Sequence, residues 1–257
     1  MNWHPIAWKD IKSQRNNIEY LPRSIRGLIV GKSGCGKSTL LFQLLLRPEW
    51  LDYNNLFVFG KSLHQPEYQI IQKGFECGLS KQQIVKIFEI QENLQRAQCS
   101  PIKLIESLKP DIEDDPIKVN YFEEPDDVPD PQEVNAKCKN LFIFDDLLLS
   151  KQNKIESYYT RGRHNNVDCF YLSQSYFQLP RRTIRGNSNF LILFKLPKKD
   201  LDHIYQDHVS TDMTKEEFFK LADKAWERPH SVLIIDLSSD KLKGKYRVGF
   251  DCFYIPN

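Results

Sequence analysis

Gly31-Lys-Ser-Gly-Cys-Gly-Lys-Ser38 is the stretch that most limits what this chain can fold into. It satisfies G-x-x-x-x-G-K-[ST] at every fixed position. The apolar run Ile25–Val30 precedes it and the amphipathic stretch Thr39–Leu46 follows, so the loop joins a strand to a helix. Average residue frequencies put a chance match in a chain this long on the order of one in a hundred. Gly31, Gly34 and Gly36 let the backbone turn its N–H groups inward around phosphate oxygens, at the positive end of a helix. Ser33, Cys35 and Thr39 complete the cradle. Lys37 is placed to reach β- and γ-phosphates, and the Ser38 hydroxyl to ligate Mg²⁺.

The rest of the chain fits that start. Short continuous apolar runs recur at Ile25–Val30, Leu56–Phe59, Leu141–Phe144, Cys169–Leu172, Phe190–Phe194 and Val232–Ile235. Their lack of alternation predicts strands buried on both faces of a mostly parallel sheet. A last edge strand is expected over Tyr246–Tyr254. Helix starts fall at Lys37, near Glu67, at Ser80, near Gln152, near Pro180, at Lys198 and at Thr214. Ser80 with Gln83, and Thr214 with Glu217, have capping-box spacing. The expected fold is α/β, a mostly parallel sheet with helices on both faces, in one domain spanning residues 1–257. That length of 257 residues is ample for a buried core.

Asn140-Leu-Phe-Ile-Phe-Asp-Asp146 is an apolar strand ending in two carboxylates. Such a strand delivers Asp145 to the carboxyl edge of the sheet, where open α/β folds bind ligands, to hold Mg²⁺ opposite Ser38. Asp146 is then placed to polarise an attacking water as general base. The strand Asp168–Leu172 ends in polar Ser173 and Gln174; a glutamine there can contact the γ-phosphate or its water. Arg161 and Arg163 flank Gly162 on an expected flexible corner, where either arginine could enter a neighbouring subunit's site. Arg181, Arg182 and Arg185 form a basic cluster that could touch nucleic-acid phosphates, and Lys241, Lys243, Lys245 and Arg247 form another.

Charge is segregated beneath a formal net of +2. From Pro110 to Glu133 there are ten acidic residues, one basic residue (Lys118) and five prolines. That window reads as an acidic, Pro-rich surface insertion, solvated and extended. It leaves an excess of basic charge elsewhere, which suits a polyanionic partner. The six cysteines are scattered without a C-x-x-C pair, as for free thiols in a reducing compartment. No run approaches a membrane span and Met1–Asp10 has no secretory pattern, so a soluble, intracellular protein is expected.

Four signals occur in a telling order: the phosphate loop, the Leu141–Asp146 strand, the Thr160–His164 turn and the Leu172-Ser-Gln-Ser-Tyr176 strand end. Together they resemble the poxvirus-type genome-packaging ATPases of the FtsK–HerA superfamily, found in large DNA viruses, virophages and related virus-like elements. The likeness covers about Leu21 to Phe194. It implies a RecA-like P-loop NTPase domain that uses ATP and Mg²⁺ to move double-stranded DNA into a preformed capsid. It further implies a homo-oligomeric ring of about five or six subunits, with a capsid vertex protein as a further partner. The implied place of action is the host cytoplasm or nucleus where virions assemble, or the virion itself. The superfamily's roles transfer onto Lys37, Ser38, Asp145, Asp146 and Gln174. Asp146 stands where much of that superfamily carries glutamate.

Two other classes remain open on sequence. A P-loop nucleoside or nucleotide kinase shares the phosphate loop and would use the Arg181–Arg185 cluster as a lid. A nucleotide-binding scaffold without turnover would share the loop alone.

Overall fold

The computed structural model describes residues 3–5, 20–93, 101–110 and 116–256. Its strands, in chain order, are β1 (Trp3–Pro5), β2 (Arg26–Val30), β3 (Asn55–Gly60), β4 (Lys118–Phe122) and β5 (Asn140–Asp145). They continue with β6 (Val167–Ser173), β7 (Phe190–Leu193), β8 (Leu233–Asp236), β9 (Tyr246–Val248) and β10 (Cys252–Tyr254). The α-helices are α1 (Lys37–Leu46), α2 (Pro66–Glu76), α3 (Lys81–Asn93), α4 (Pro101–Ser107), α5 (Asn153–Arg161), α6 (Lys198–Ile204) and α7 (Lys215–Ala225). All ten strands share one sheet in the order β1-β10-β9-β8-β7-β2-β6-β5-β3-β4. The six from β7 to β4 are parallel; β8, β9, β10 and β1 extend the sheet antiparallel.

The continuous apolar runs have a direct structural cause. Successive side chains of a strand point to opposite faces, and both faces here are covered. Leu28, Phe142, Phe144, Tyr171 and Leu193 join one core, packed under α5, α6 and α7. Ile29, Leu141, Ile143, Phe170 and Ile192 join the other, packed under α1, α2 and α3. A strand with two buried faces has no polar positions to alternate with.

Helix starts follow the caps. The Ser80 N–H donates to Gln83 Oε1 at 3.0 Å and the Gln83 N–H to Ser80 Oγ at 3.3 Å, the reciprocal box read from the sequence. Thr214 Oγ1 accepts from the Glu217 N–H at 3.3 Å.

Three local expectations need correction. No helix forms at Pro180: the Ile184 and Arg185 N–H groups donate to the Pro180 carbonyl. The chain continues only as a short 3-10 turn over Arg185–Asn187, with Asn187 Nδ2 donating to Thr183 O and Ser188 Oγ to Ile184 O beside the backbone bonds. Tyr246–Tyr254 is two strands rather than one edge strand, since Gly249 turns the chain at φ 66° and β1 pairs outside β10. The acidic window is not wholly a loop. Its residues Lys118–Phe122 pair parallel with β3 as the edge strand β4, while Val128 buries against the core. Residues 111–115 of that window lie outside the described set.

Candidate active site

Parallel register decides what meets at the carboxyl edge. Val30 pairs with Ser173, and Asp145 with Leu172, so the ends of β2, β5 and β6 lie side by side. The Gly31 N–H donates to Ser173 O at 3.0 Å and the Asp146 N–H to Leu172 O at 3.3 Å, tying the three chain exits together. The phosphate loop, both acids and Gln174 therefore share one cleft, of about 1150 Å³.

The loop's glycines are required by its shape. A Cβ on Gly31 would stand 2.6 Å from both Cys35 Sγ and Phe194 Cβ. Gly36 starts α1 from φ 105°, left-handed territory that a side chain strains to enter. It brings no capping side chain, and the first turn of α1 holds no acidic residue. The helix therefore presents its amide donors and positive dipole end to the cleft without a protein anion. Lys37 Nζ donates to Gly31 O at 2.7 Å and Lys32 O at 3.0 Å, which keeps the ammonium inside the loop's curve. His230, which also lines the cleft, sits with its Nδ1 3.0 Å from Cys35 O and braces the loop.

Asp145 is 7% exposed and accepts a hydrogen bond on Oδ2 from the Tyr68 hydroxyl at 2.6 Å. Burial pushes its carboxyl above the ordinary range; the Tyr68 bond and the Lys37 charge oppose this, and Asp146 adds to it. Asp146 is exposed, stands at φ 53°, and faces Gln174, whose Nε2 donates to both of its carboxylate oxygens.

The remaining sequence candidates lie elsewhere. Helix α5 runs back from the end of β5 to the start of β6, which places Arg161 and Arg163 toward the edge opposite the phosphate loop. Both are exposed, but Gly162 is buried in right-handed helical conformation at φ −55°. The expected flexible corner is thus an ordered junction, where α5 ends at Arg161 (φ −125°) and a 3-10 turn runs over Gly162–Asn165. Arg181 and Arg182 are exposed. Arg185 is 4% exposed and ion-paired to Asp207 at 2.5 Å, with its guanidinium over the Tyr176 ring, so it is no nucleic-acid contact. The second basic cluster divides in the same way: Arg247 is buried against Asp236, and Lys245 pairs with Asp212.

Other cleft residues escaped the sequence reading. Trp50 and Phe250 form an edge-to-face pair at 4.8 Å, and the Arg47 guanidinium lies 5.6 Å from the Trp50 ring centre. Their positions, just past α1 and between β9 and β10, carry no motif. Tyr68 had no signal beyond its place on the buried face of α2.

Donor chemistry fits Mg²⁺. Ser38 and Asp145 offer hard oxygens, few in number, as suits an ion that keeps several waters and leans on substrate phosphates. Among the described residues no group of three or more His, Cys, Asp or Glu side chains could form a separate metal centre. Of the six cysteines, Cys99 lies outside the described set and the other five are free. No described helix is long and apolar enough to cross a membrane.

A phosphate loop joining β2 to α1 at the carboxyl edge of a mostly parallel sheet is the arrangement of a P-loop NTPase fold. No family model matches the chain, and no curated protein matches it. Among solved structures it is similar to the genome packaging NTPase B204 from Sulfolobus turreted icosahedral virus 2 in complex with AMPPCP. That pair shares 10% identity and a TM-score of 0.49, over 85% of this chain and 95% of the other. VirB4 of Thermoanaerobacter pseudethanolicus aligns at 11% identity and TM-score 0.46, over 90% and 88%. The bacterial conjugative coupling protein TrwB aligns at 10% and 0.42, over 90% and 84%.

Proposed function

We propose that this chain hydrolyses ATP to drive double-stranded DNA into a preformed capsid, working as a ring of identical subunits. The observation that carries the hydrolase reading is the meeting of phosphate loop, Asp145, Asp146 and Gln174 in one cleft. Backbone amides of the loop and the start of α1 would bind the phosphates, and Lys37 would neutralise charge on the transferred group. Ser38 and Asp145 would hold Mg²⁺, which when bound would neutralise negative charge on the phosphates. Asp146, oriented by Gln174, would take the proton of the attacking water.

The DNA part rests on the motif order described above and on charge. Between Cys169 and Lys199 the chain carries six cationic side chains and no acidic one. Arg181, Arg182, Lys195, Lys198 and Lys199 of that stretch are exposed, which suits a phosphate backbone. The kinase alternative is weakened because Arg185, part of its supposed lid, is committed to Asp207.

ATP turnover measured with and without duplex DNA, together with particle mass in nucleotide, tests the reading. DNA-stimulated hydrolysis by a multi-subunit particle supports it. Phosphoryl transfer to a nucleoside acceptor favours the kinase, and nucleotide binding without turnover favours the scaffold.

A further inference from the structure

Tyr68 puts a phenol hydroxyl on a helix face that is otherwise apolar. Helix α2 starts at Pro66, and Tyr68, Ile71 and Phe75 fall on the face it turns to the sheet. Tyr68 is 1% exposed. The Phe42 ring of α1 meets it edge-on at 5.1 Å, and the Tyr121 ring of β4 does so at 6.2 Å. Its hydroxyl reaches Asp145 Oδ2 at 2.6 Å, the length of a charge-assisted bond to an ionised carboxylate. A second phenol fixes the first from behind: the Tyr121 hydroxyl donates to the Tyr68 backbone carbonyl at 2.9 Å.

We infer that Tyr68 is a positioning residue for the cation-binding carboxylate, and that Tyr121, from the edge strand inside the acidic window, steadies it. This rests on the reading of Asp145 as the Mg²⁺ carboxylate. A strand-end aspartate has rotamers to choose from, and one bond to Oδ2 from a rigid, buried ring selects among them. The other carboxylate oxygen is then left to the cleft that Asp145 shares with Ser38 and Lys37. Groups that orient a metal ligand from behind typically contribute about 10- to 100-fold in metal affinity or activity when removed. The arrangement also gives β4 a purpose beyond closing the sheet, since it supplies the bond that holds the first helical turn of α2.

The test uses the full chain and Tyr68→Phe, which keeps the ring and removes only the hydroxyl. The readouts are Mn²⁺ affinity of the complex with a non-hydrolysable ATP analogue, by electron paramagnetic resonance, and analogue affinity in chelator. Mn²⁺ affinity should fall by about 10- to 100-fold, while metal-free analogue binding stays at the wild-type value. Turnover should recover as Mg²⁺ is raised. Tyr121→Phe should shift Mn²⁺ affinity in the same direction by less. Wild-type Mn²⁺ affinity in Tyr68→Phe overturns the inference. So does a parallel loss of metal-free binding and melting temperature, which would make Tyr68 a core residue only. Ser38→Ala separates the two levels: if it too leaves Mn²⁺ affinity unchanged, the Mg²⁺ site itself is wrong, and the inference falls with it.

Discussion

Gln174 Nε2 lies 3.2 Å from Asp146 Oδ1 and 3.3 Å from Oδ2, so one amide spans both oxygens of the exposed carboxylate. The two residues leave neighbouring strands only one residue past their ends, and the pairing of Asp145 with Leu172 brings them within one residue of register. A carboxylate held this way is oriented without being buried, which keeps it in reach of water.

Asp146→Asn is therefore expected to separate binding from chemistry. Asparagine tolerates the φ of 53° found here, so the backbone should stay in place. Turnover should fall by ~10² or more, with ATP and Mg²⁺ affinities near the wild-type values by calorimetry. Loss of binding in parallel with turnover would reassign Asp146 as a metal ligand.

The contrast between what the chain announced and what it hid has a physical basis. The phosphate loop was legible because each residue type answers a local demand, amides for phosphate or a backbone at positive φ. Asp145, Asp146 and Gln174 were legible because a strand's polar end in a doubly covered sheet marks the ligand-binding edge. Tyr68 was not, because its partner is 77 positions away and a tyrosine on an apolar helix face looks like any other core residue. Arg185 misled for the opposite reason. Beside Arg181 and Arg182 it reads as surface charge, and only the fold of the α6 region brings Asp207 to it. The strand β4 was hidden by its surroundings, since ten acids and five prolines mask five residues of pairing.

Those three arginines should behave differently when replaced. Arg181→Ala with Arg182→Ala should weaken duplex binding and flatten its salt dependence, by about 0.9 in slope for each phosphate no longer neutralised. The same pair should leave melting temperature and DNA-free ATPase near wild type. Arg185→Ala removes the 2.5 Å partner of a part-buried Asp207 and leaves it the Tyr176 hydroxyl and the exposed Arg181 at 3.4 Å. Stability should therefore fall, by less than the about 3–5 kcal/mol of a fully buried pair. Denaturant titration should show that loss; an unchanged midpoint would return Arg185 to the solvent-facing basic cluster.

His208 sets an acid limit on the same region. Burial holds its imidazole down at about 4, with Lys245 and Arg185 acting in the same direction and Asp207 opposing. Its Nε2 sits 2.7 Å from the Tyr176 hydroxyl. A depressed histidine binds its proton in the unfolded chain first, so stability is full above the unfolded value and falls as pH drops below it. Acidifying from about pH 7 to about pH 5 should cost about 2 kcal/mol through this group. Denaturant midpoints across that range should fall more steeply for the wild type than for His208→Gln. Parallel curves would show that His208 titrates normally.

The last expectation concerns the ring. Arg161 and Arg163 are exposed where α5 ends, and α5 has by then returned to the amino edge of a sheet whose phosphate loop is at the carboxyl edge. Neither can serve its own cleft, so a catalytic role for either requires a second subunit. An arginine delivered across an interface stabilises transition-state charge only once the assembly is closed, which couples hydrolysis to neighbours. Dilute protein should then be nearly inactive, and turnover per subunit should rise with concentration. Arg163→Ala, or Arg161→Ala, should bind ATP normally yet poison mixed assemblies with wild type. Mixing that variant with Lys37→Ala should restore part of the activity, because some interfaces then pair an intact arginine with an intact phosphate loop. Concentration-independent turnover, unaffected by either arginine, would leave a self-contained ATPase and remove the ring from the proposal.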